Sequence, residues 1–263
     1  MKKTIVTTFC ILMLCSLLLL INVGSIKAGN PDYSLTEYGA QGTTTVDGMW
    51  TVPDEWYDGP VLPLGDSGVY VYCMDFNTYG IQWCVEIFND NTNDTEDYWQ
   101  ICIDADNSGG TAPQSGDFKI DIVGHTNLVC YEGNGTGWNV ITPEEGEITW
   151  ANSISTSSSW NSTSHWILEI MILKTTGAIV TGQPPNGMRV AVYDASNSAA
   201  GVQAWPPGSS ADVPDEYGVI ADFSMDPIPE GLTFGVMVLL SSVSVLVGYH
   251  YFLKRKETKV EAQ

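Results

Sequence analysis

Short runs rich in Val, Ile, Tyr and Trp recur along the middle of this chain, separated by Gly, Asn, Asp and Pro. Branched and aromatic residues suit a pleated, half-buried surface, and the separating residues suit turns. No long amphipathic helix pattern competes with them outside the two ends. The pattern predicts strands near 69–76, 81–88, 97–104, 117–123, 127–131, 147–152, 164–172, 187–194 and 217–224. Within one of them Trp166, Leu168, Ile170 and Ile172 fall on a single face, because side chains alternate along a strand. The polar stretch 152–165 reads as a loop. Many short strands with turn signals predict an all-β domain: a two-sheet antiparallel β-sandwich of jelly-roll or immunoglobulin-like kind.

Charge divides the chain as sharply as hydropathy does. Residues 29–230 hold 29 of the 31 acids but only three of the ten basic residues, Lys119, Lys174 and Arg189. Nucleic acid is excluded as a partner on this ground, because phosphate binding needs clustered Lys and Arg. The basic residues sit instead at the ends. Met1-Lys2-Lys3, an apolar run from Phe9 to Val23 and the small-residue site at Ala28 predict a secretory signal peptide over 1–28, with an uncleaved anchor as the alternative. Residues 232–253 are long and apolar enough for a transmembrane helix, and the basic tail 254–263 places the acidic domain outside the cytoplasm. The domain boundaries expected are therefore 29–226 for the sandwich and 227–231 for a juxtamembrane linker. Pro227-Ile228-Pro229-Glu230-Gly231, followed by the apolar helix and basic cluster, resembles the C-terminal sorting signals of archaeal and bacterial surface proteins. A helix left uncut is the alternative.

Four cysteines remain in the exported part, Cys73, Cys84, Cys102 and Cys130, which allows two disulfides in three connectivities. A four-residue hairpin loop at 77–80 would set Cys73 opposite Cys84, leaving Cys102 for Cys130. A zinc site is disfavoured, since no CxxC pair is present and His is scarce. Sequons at Asn93, Asn134 and Asn161 suit a glycosylated surface domain. Asp104-Ala105-Asp106-Asn107-Ser108-Gly109 places oxygen groups at alternate positions before a Gly, as calcium loops do. Its candidate ligands are Asp104, Asp106 and Ser108, completed by the distant Asp117. The twelfth position is Ser115 rather than a bidentate Glu, and a plain Asx turn is the competing reading.

The order of motifs resembles family 9 carbohydrate-binding modules and the wider DOMON-like sandwiches. The resemblance is carried by Asp47-Gly48-Met49-Trp50 with Glu55-Trp56, and by the strand Gly80–Asp90. It continues through Asp97-Tyr98-Trp99-Gln100-Ile101-Cys102-Ile103-Asp104, Trp166–Ile172, Ala204-Trp205-Pro206-Pro207 and Pro214–Ile220. It spans about residues 44–224. It implies a non-catalytic β-sandwich that binds sugar, often with calcium, by stacking pyranose rings on aromatic faces. On that basis Trp205 is the leading sugar platform and Trp50 and Trp56 are lesser ones, with core packing as the alternative. The loop 89–96 has no aromatic where the family places one of two clamping rings.

Rival chemistries are weaker. Glycoside hydrolysis needs two carboxyls across a cleft, and with so many acids Glu86, Glu169, Glu144, Glu145 or Glu147 could pair by accident. Neither His125 nor His165 has a nucleophile motif around it. Haem, as in some DOMON-like domains, would need ligands from Met74, Met171, Met188, His125 and His165. A structural or adhesive protein without a small ligand would use its aromatics for packing alone.

Overall fold

The computed structural model describes residues 29–37, 44–51, 55–56, 60–64, 68–76, 80–156, 162–173, 178–179 and 185–222, with backbone alone for 37, 72–76 and 221–222. The expected signal segment, linker, membrane helix, tail and Asn161 lie outside these residues. Among the described residues no helix is long and apolar enough to cross a membrane.

Two sheets form. One has the order β1 (Asn30–Glu37), β13 (Gly218–Asp222), β11 (Asn186–Tyr193), β5 (Tyr98–Asp104), β6 (Asp117–Val123), β7 (Asn127–Gly133), β8 (Trp138–Ile141), and β12 (Gln203–Trp205) also pairs with β11. The other has the order β2 (Val61–Pro63), β3 (Val69–Phe76), β4 (Gly80–Ile87), β10 (His165–Leu173), β9 (Ile148–Ser155). All nine predicted strands are present. Four more, β1, β2, β8 and β12, are short or polar and have no clear alternation. Two expectations need correction. The larger sheet is mixed, because β1 runs parallel to β13. The stretch taken as a loop from 152 begins as strand, since β9 pairs with β10 as far as Ser155↔His165.

The core follows from alternation. Trp166, Leu168, Ile170 and Ile172 face inward with Trp83, Val85 and Ile87, against Trp99, Ile101, Phe118, Ile120, Met188 and Val190 from the other sheet. Both faces of β4 are buried. Its second face carries Cys84, which packs with Ile167, Trp50 and Trp56 in a separate cluster.

The expected disulfides are not made. Cys84, Cys102 and Cys130 are free and buried. The β3–β4 hairpin pairs Phe76↔Gly80, so Cys73 stands opposite Trp83, and Cys84 opposite Tyr72. The loop is one residue shorter than expected, and a one-residue slip reverses which face each side chain takes. Cys102 and Cys130 are separated by β6. Cys130 belongs to the core cluster while Cys102 lies on the outer side, opposite Lys119. Burial pushes all three thiols up, Cys84 well above its usual range, Cys102 to about 11 and Cys130 to about 12.

Candidate functional site

The three tryptophans expected to stack on sugar are all packed away. Trp56 is 1% exposed, and its indole N–H donates to Glu169 Oε1 at 3.0 Å. Glu169, on the outer side of β10, also accepts from the Asp47 and Gly48 amides at 2.8 and 2.9 Å. Gly48 has φ +76, and a Cβ there would lie 2.7 Å from the Asn152 backbone, so glycine lets this segment close onto β9. Glu55 accepts from the Thr45 and Thr51 amides, which ties the segment to itself. Trp50 is buried beside Trp56. These residues form a cover over one sheet, and their ring faces are not available to a ligand.

Trp205 is 8% exposed. Its strand is in register with β11 as Val190↔Trp205 and Ala191↔Ala204. Val190 faces the core, so Trp205 does too. Its ring lies where any Cβ on Gly218 would collide, 2.2 Å from that position. Ala204, one residue earlier, takes the opposite face and lines an open cleft.

That cleft has a volume of about 530 Å³ and lies on the outer face of the larger sheet. Its floor is Tyr98 and Gln100 from β5, Lys119 from β6 and Arg189 from β11, and its wall is the 208–212 loop. These floor positions alternate with the core residues Trp99, Ile101, Ile120 and Val190, which is why they point outward. Tyr98 stacks on Tyr193 with ring centroids 5.6 Å apart. Gln100 accepts from Arg189 Nη1 and donates to Asp121 Oδ1 at 2.9 Å. Lys119 pairs with Asp121 at 3.7 Å and sits 4.2 Å above the Tyr131 ring and 5.4 Å from the Trp138 ring. The wall is held by Arg189 Nε, which donates to Ser209 O at 3.0 Å, by Tyr217 Oη to Ala211 O at 2.6 Å, and by Trp138 Nε1 to Asp212 Oδ1 at 2.8 Å. Aromatic rings beside fixed amide and charged groups are the make-up of a small polar-ligand site. The sequence signal for it was the outward half of Tyr98-Trp99-Gln100 and of Lys119-Ile120-Asp121.

Two clusters could hold a cation. Asp104, Asp106 and Asp117 bring carboxylate oxygens within 4.8 Å of one another. Asp104 accepts from the Ser108 and Gly109 amides, Asp106 from the Ser108 amide and Asp117 from the Gln114 amide. Desolvation, opposed by these amides, raises Asp104 to about 6. Desolvation together with repulsion from Asp104 and Asp106 raises Asp117 to about 7. An all-oxygen donor set that repels itself fits calcium. Ser108 enters the cluster through its N–H, which points at the carboxylates.

The second cluster was missed in the sequence, because His125 from the β6–β7 turn meets Asp90 and Asp97 from the two ends of the β4–β5 loop. Asp97 accepts from His125 Nε2 at 2.8 Å, and His125 stacks on Trp166 with centroids 3.7 Å apart. Asp90 Oδ2 and His125 Nδ1 are buried without a hydrogen-bond partner.

Other candidate groups are occupied in the fold. His165 bonds Glu86 at 2.9 Å, and Met188 Sδ accepts the Trp83 N–H, so these two proposed haem ligands and the strand carboxylates Glu86 and Glu169 are used in packing. Glu147 accepts the Glu144 amide at 2.6 Å and closes its own turn. Met74 has no described side chain. Asn93 and Asn134 are exposed.

No family model and no curated protein matches this sequence. Solved structures do. A family 9 carbohydrate-binding module from Caldicellulosiruptor kristjanssonii, in complex with glucose, superposes with a TM-score of 0.51 at 13% identity, covering 72% of this chain and 95% of that one. A module of that family from the same organism, in complex with cellotriose, gives a TM-score of 0.48 at 13% identity, covering 72% and 93%. A Bacteroides uniformis protein assigned to carbohydrate binding gives a TM-score of 0.48 at 11% identity, covering 72% and 99%. Two packed sheets in this order, with the first of these matches, give the chain the fold of a family 9 carbohydrate-binding module.

Proposed function

We propose that this chain is a cell-surface carbohydrate-binding module without catalysis of its own, held to a membrane by its C-terminal helix. Its glycan site is the outer-face cleft rather than Trp205. The observation that carries this reading is the cleft itself: about 530 Å³, lined by Tyr98, which stacks on Tyr193 beside it, and by Gln100, Lys119 and Arg189. Sugar rings need apolar faces for their C–H groups and fixed donors and acceptors for their hydroxyls. The cleft offers both side by side. The neighbour with the same fold is in complex with glucose, which agrees with this class of ligand.

Calcium belongs to the same proposal. Asp104, Asp106 and Asp117 would hold it and thereby brace the β5–β6 connection whose flanking strands form the cleft floor. The signal peptide, the anchor helix and glycosylation at Asn93, Asn134 and Asn161 complete the picture of an exported domain. They rest on the sequence pattern alone.

A glycan array probed with the full-length protein in detergent, with and without calcium, tests the reading. Binding that disappears in Tyr98→Ala and Gln100→Ala while folding is retained supports it. No binding to any sugar in either condition would return the chain to the structural or adhesive class.

A further inference from the structure

We propose that the ligand of the cleft carries an oxyanion, a carboxylate or a sulfate, so that the substrate class is an acidic glycan rather than a neutral one. This rests on the carbohydrate reading of the cleft and narrows it.

The first ground is where the cations are. Residues 29–230 hold three basic side chains against 29 acids, and the two described ones, Lys119 and Arg189, both line this cleft. In a chain of formal net charge −21 this is the one place among the described residues where positive charge is concentrated. A neutral sugar needs no such arrangement, since amides and hydroxyls suffice for its hydroxyl groups.

The second ground is the state of Arg189. It is 4% exposed. Its bonds run from Nε to Ser209 O and Oγ and from Nη1 to Gln100 Oε1, all neutral acceptors. Among the described residues no carboxylate oxygen lies within 4 Å of the guanidinium, and the nearest acid of the network, Asp121, is reached only through Gln100. The Nη2 group takes part in none of these bonds, and the residue lines the cleft. A guanidinium cannot shed its proton, so burying it without a counter-charge is costly. The fold nevertheless holds it rigid, with its remaining N–H groups free for a ligand. An oxyanion accepting there would supply the missing charge in the forked geometry that arginine matches best. Lys119, held 4.2 Å above the Tyr131 ring, adds a second cation to the lining of the same cleft.

The test is titration calorimetry on the full-length protein in detergent, at about 0.15 M salt, where surface charge is screened beyond about 8 Å. The probes are matched oligosaccharides: neutral galactotriose, its uronic-acid counterpart trigalacturonate, a 6-sulfated galactose oligosaccharide, and inorganic sulfate alone. At least one acidic sugar is expected to bind tenfold or more tightly than its neutral match. The carboxylate and sulfate arms tell which oxyanion is read. Arg189→Gln should remove that preference, weakening the acidic sugar tenfold or more and its neutral match by a smaller factor. Where Arg189→Gln does not fold by circular dichroism, Lys119→Gln, at a partly exposed position, should still reduce the preference severalfold. Equal affinity for neutral and acidic sugars overturns this inference and leaves carbohydrate binding standing. Binding to no sugar removes both readings. Inorganic sulfate binding as tightly as the sulfated sugar also overturns it, since the site would then be reading the anion and no glycan.

Discussion

The two outer faces of this sandwich carry similar raw material and put it to opposite use. On the smaller sheet, Glu169, Cys84 and Ile167 are roofed by residues 44–51 and 55–56, and the carboxylates named there are spent on the roof: Glu169 on Trp56, Asp47 and Gly48, and Glu55 on Thr45 and Thr51. On the larger sheet the 206–216 loop is pinned at separate points, through Ser209, Ala211, Asp212 and Asp215, and Tyr98, Gln100, Lys119 and Arg189 are left around an open cleft. The first face has acids and tryptophans with no cation among them. The second has both described basic residues. A buried carboxylate can close a loop by accepting backbone amides, whereas a cation beside aromatic rings with unused N–H groups is arranged for something from outside.

Substitutions on the two faces should therefore separate stability from binding. The largest loss of stability is expected for Trp205→Ala, which removes a core indole from above Gly218 and should cost about 3–5 kcal/mol in denaturant unfolding. A binding defect without such a loss would restore Trp205 as a ligand platform. Glu169→Ala should follow at about 3 kcal/mol, because three donors lose their acceptor at a buried site. Its sugar affinity, measured where the variant is still folded, should not change. Tyr98→Ala and Gln100→Ala reverse that pattern: affinity falls about tenfold or more, about 1.4 kcal/mol, with melting temperature nearly constant.

Acidity sharpens the contrast further. Asp104, Asp117 and Glu169 have folded values raised to about 6, 7 and 7, above the ordinary carboxylate range, mainly through desolvation. A raised carboxylate is protonated more readily in the folded state, so its favourable contribution is present at low pH and is lost as pH rises from about 4 through about 7. In a chelator, melting temperature should fall over that window. Calcium should remove the part due to Asp104 and Asp117 and leave the part due to Glu169. A melting curve unaffected by calcium at pH 8 would remove the ion from the acidic cluster. The smallest expected effect is on the thiols: Cys84, Cys102 and Cys130, buried and raised, should react with a thiol reagent only after unfolding, and non-reducing mass spectrometry should find no bond among them.

Strand positions were legible because alternation leaves a period of two in the sequence, and Trp166-Ile167-Leu168-Glu169-Ile170 displays it plainly. β1 and β8 were not, since Asn30–Glu37 is polar and parallel-paired and Trp138–Ile141 is a four-residue edge with little burial. The cleft was half legible. Tyr98, Gln100 and Lys119 could be read as outward positions, but nothing along the chain announces that the 206–212 loop turns back to wall them.

By itself the sequence determined the all-β class, the nine main strands, the inward face of Trp166–Ile172, and the scarcity of cations that makes Lys119 and Arg189 informative. These follow from local periodicity and composition, which one strand records without its neighbours. Only the tertiary structure decided register and approach. A loop one residue shorter put Trp83 rather than Cys84 across from Cys73, and the pairing Val190↔Trp205 turned the expected sugar platform inward while Ala204 came to line the cleft. Both outcomes depend on which residue of another strand lies opposite. No single strand encodes that choice: it is settled by the packing of both sheets at once.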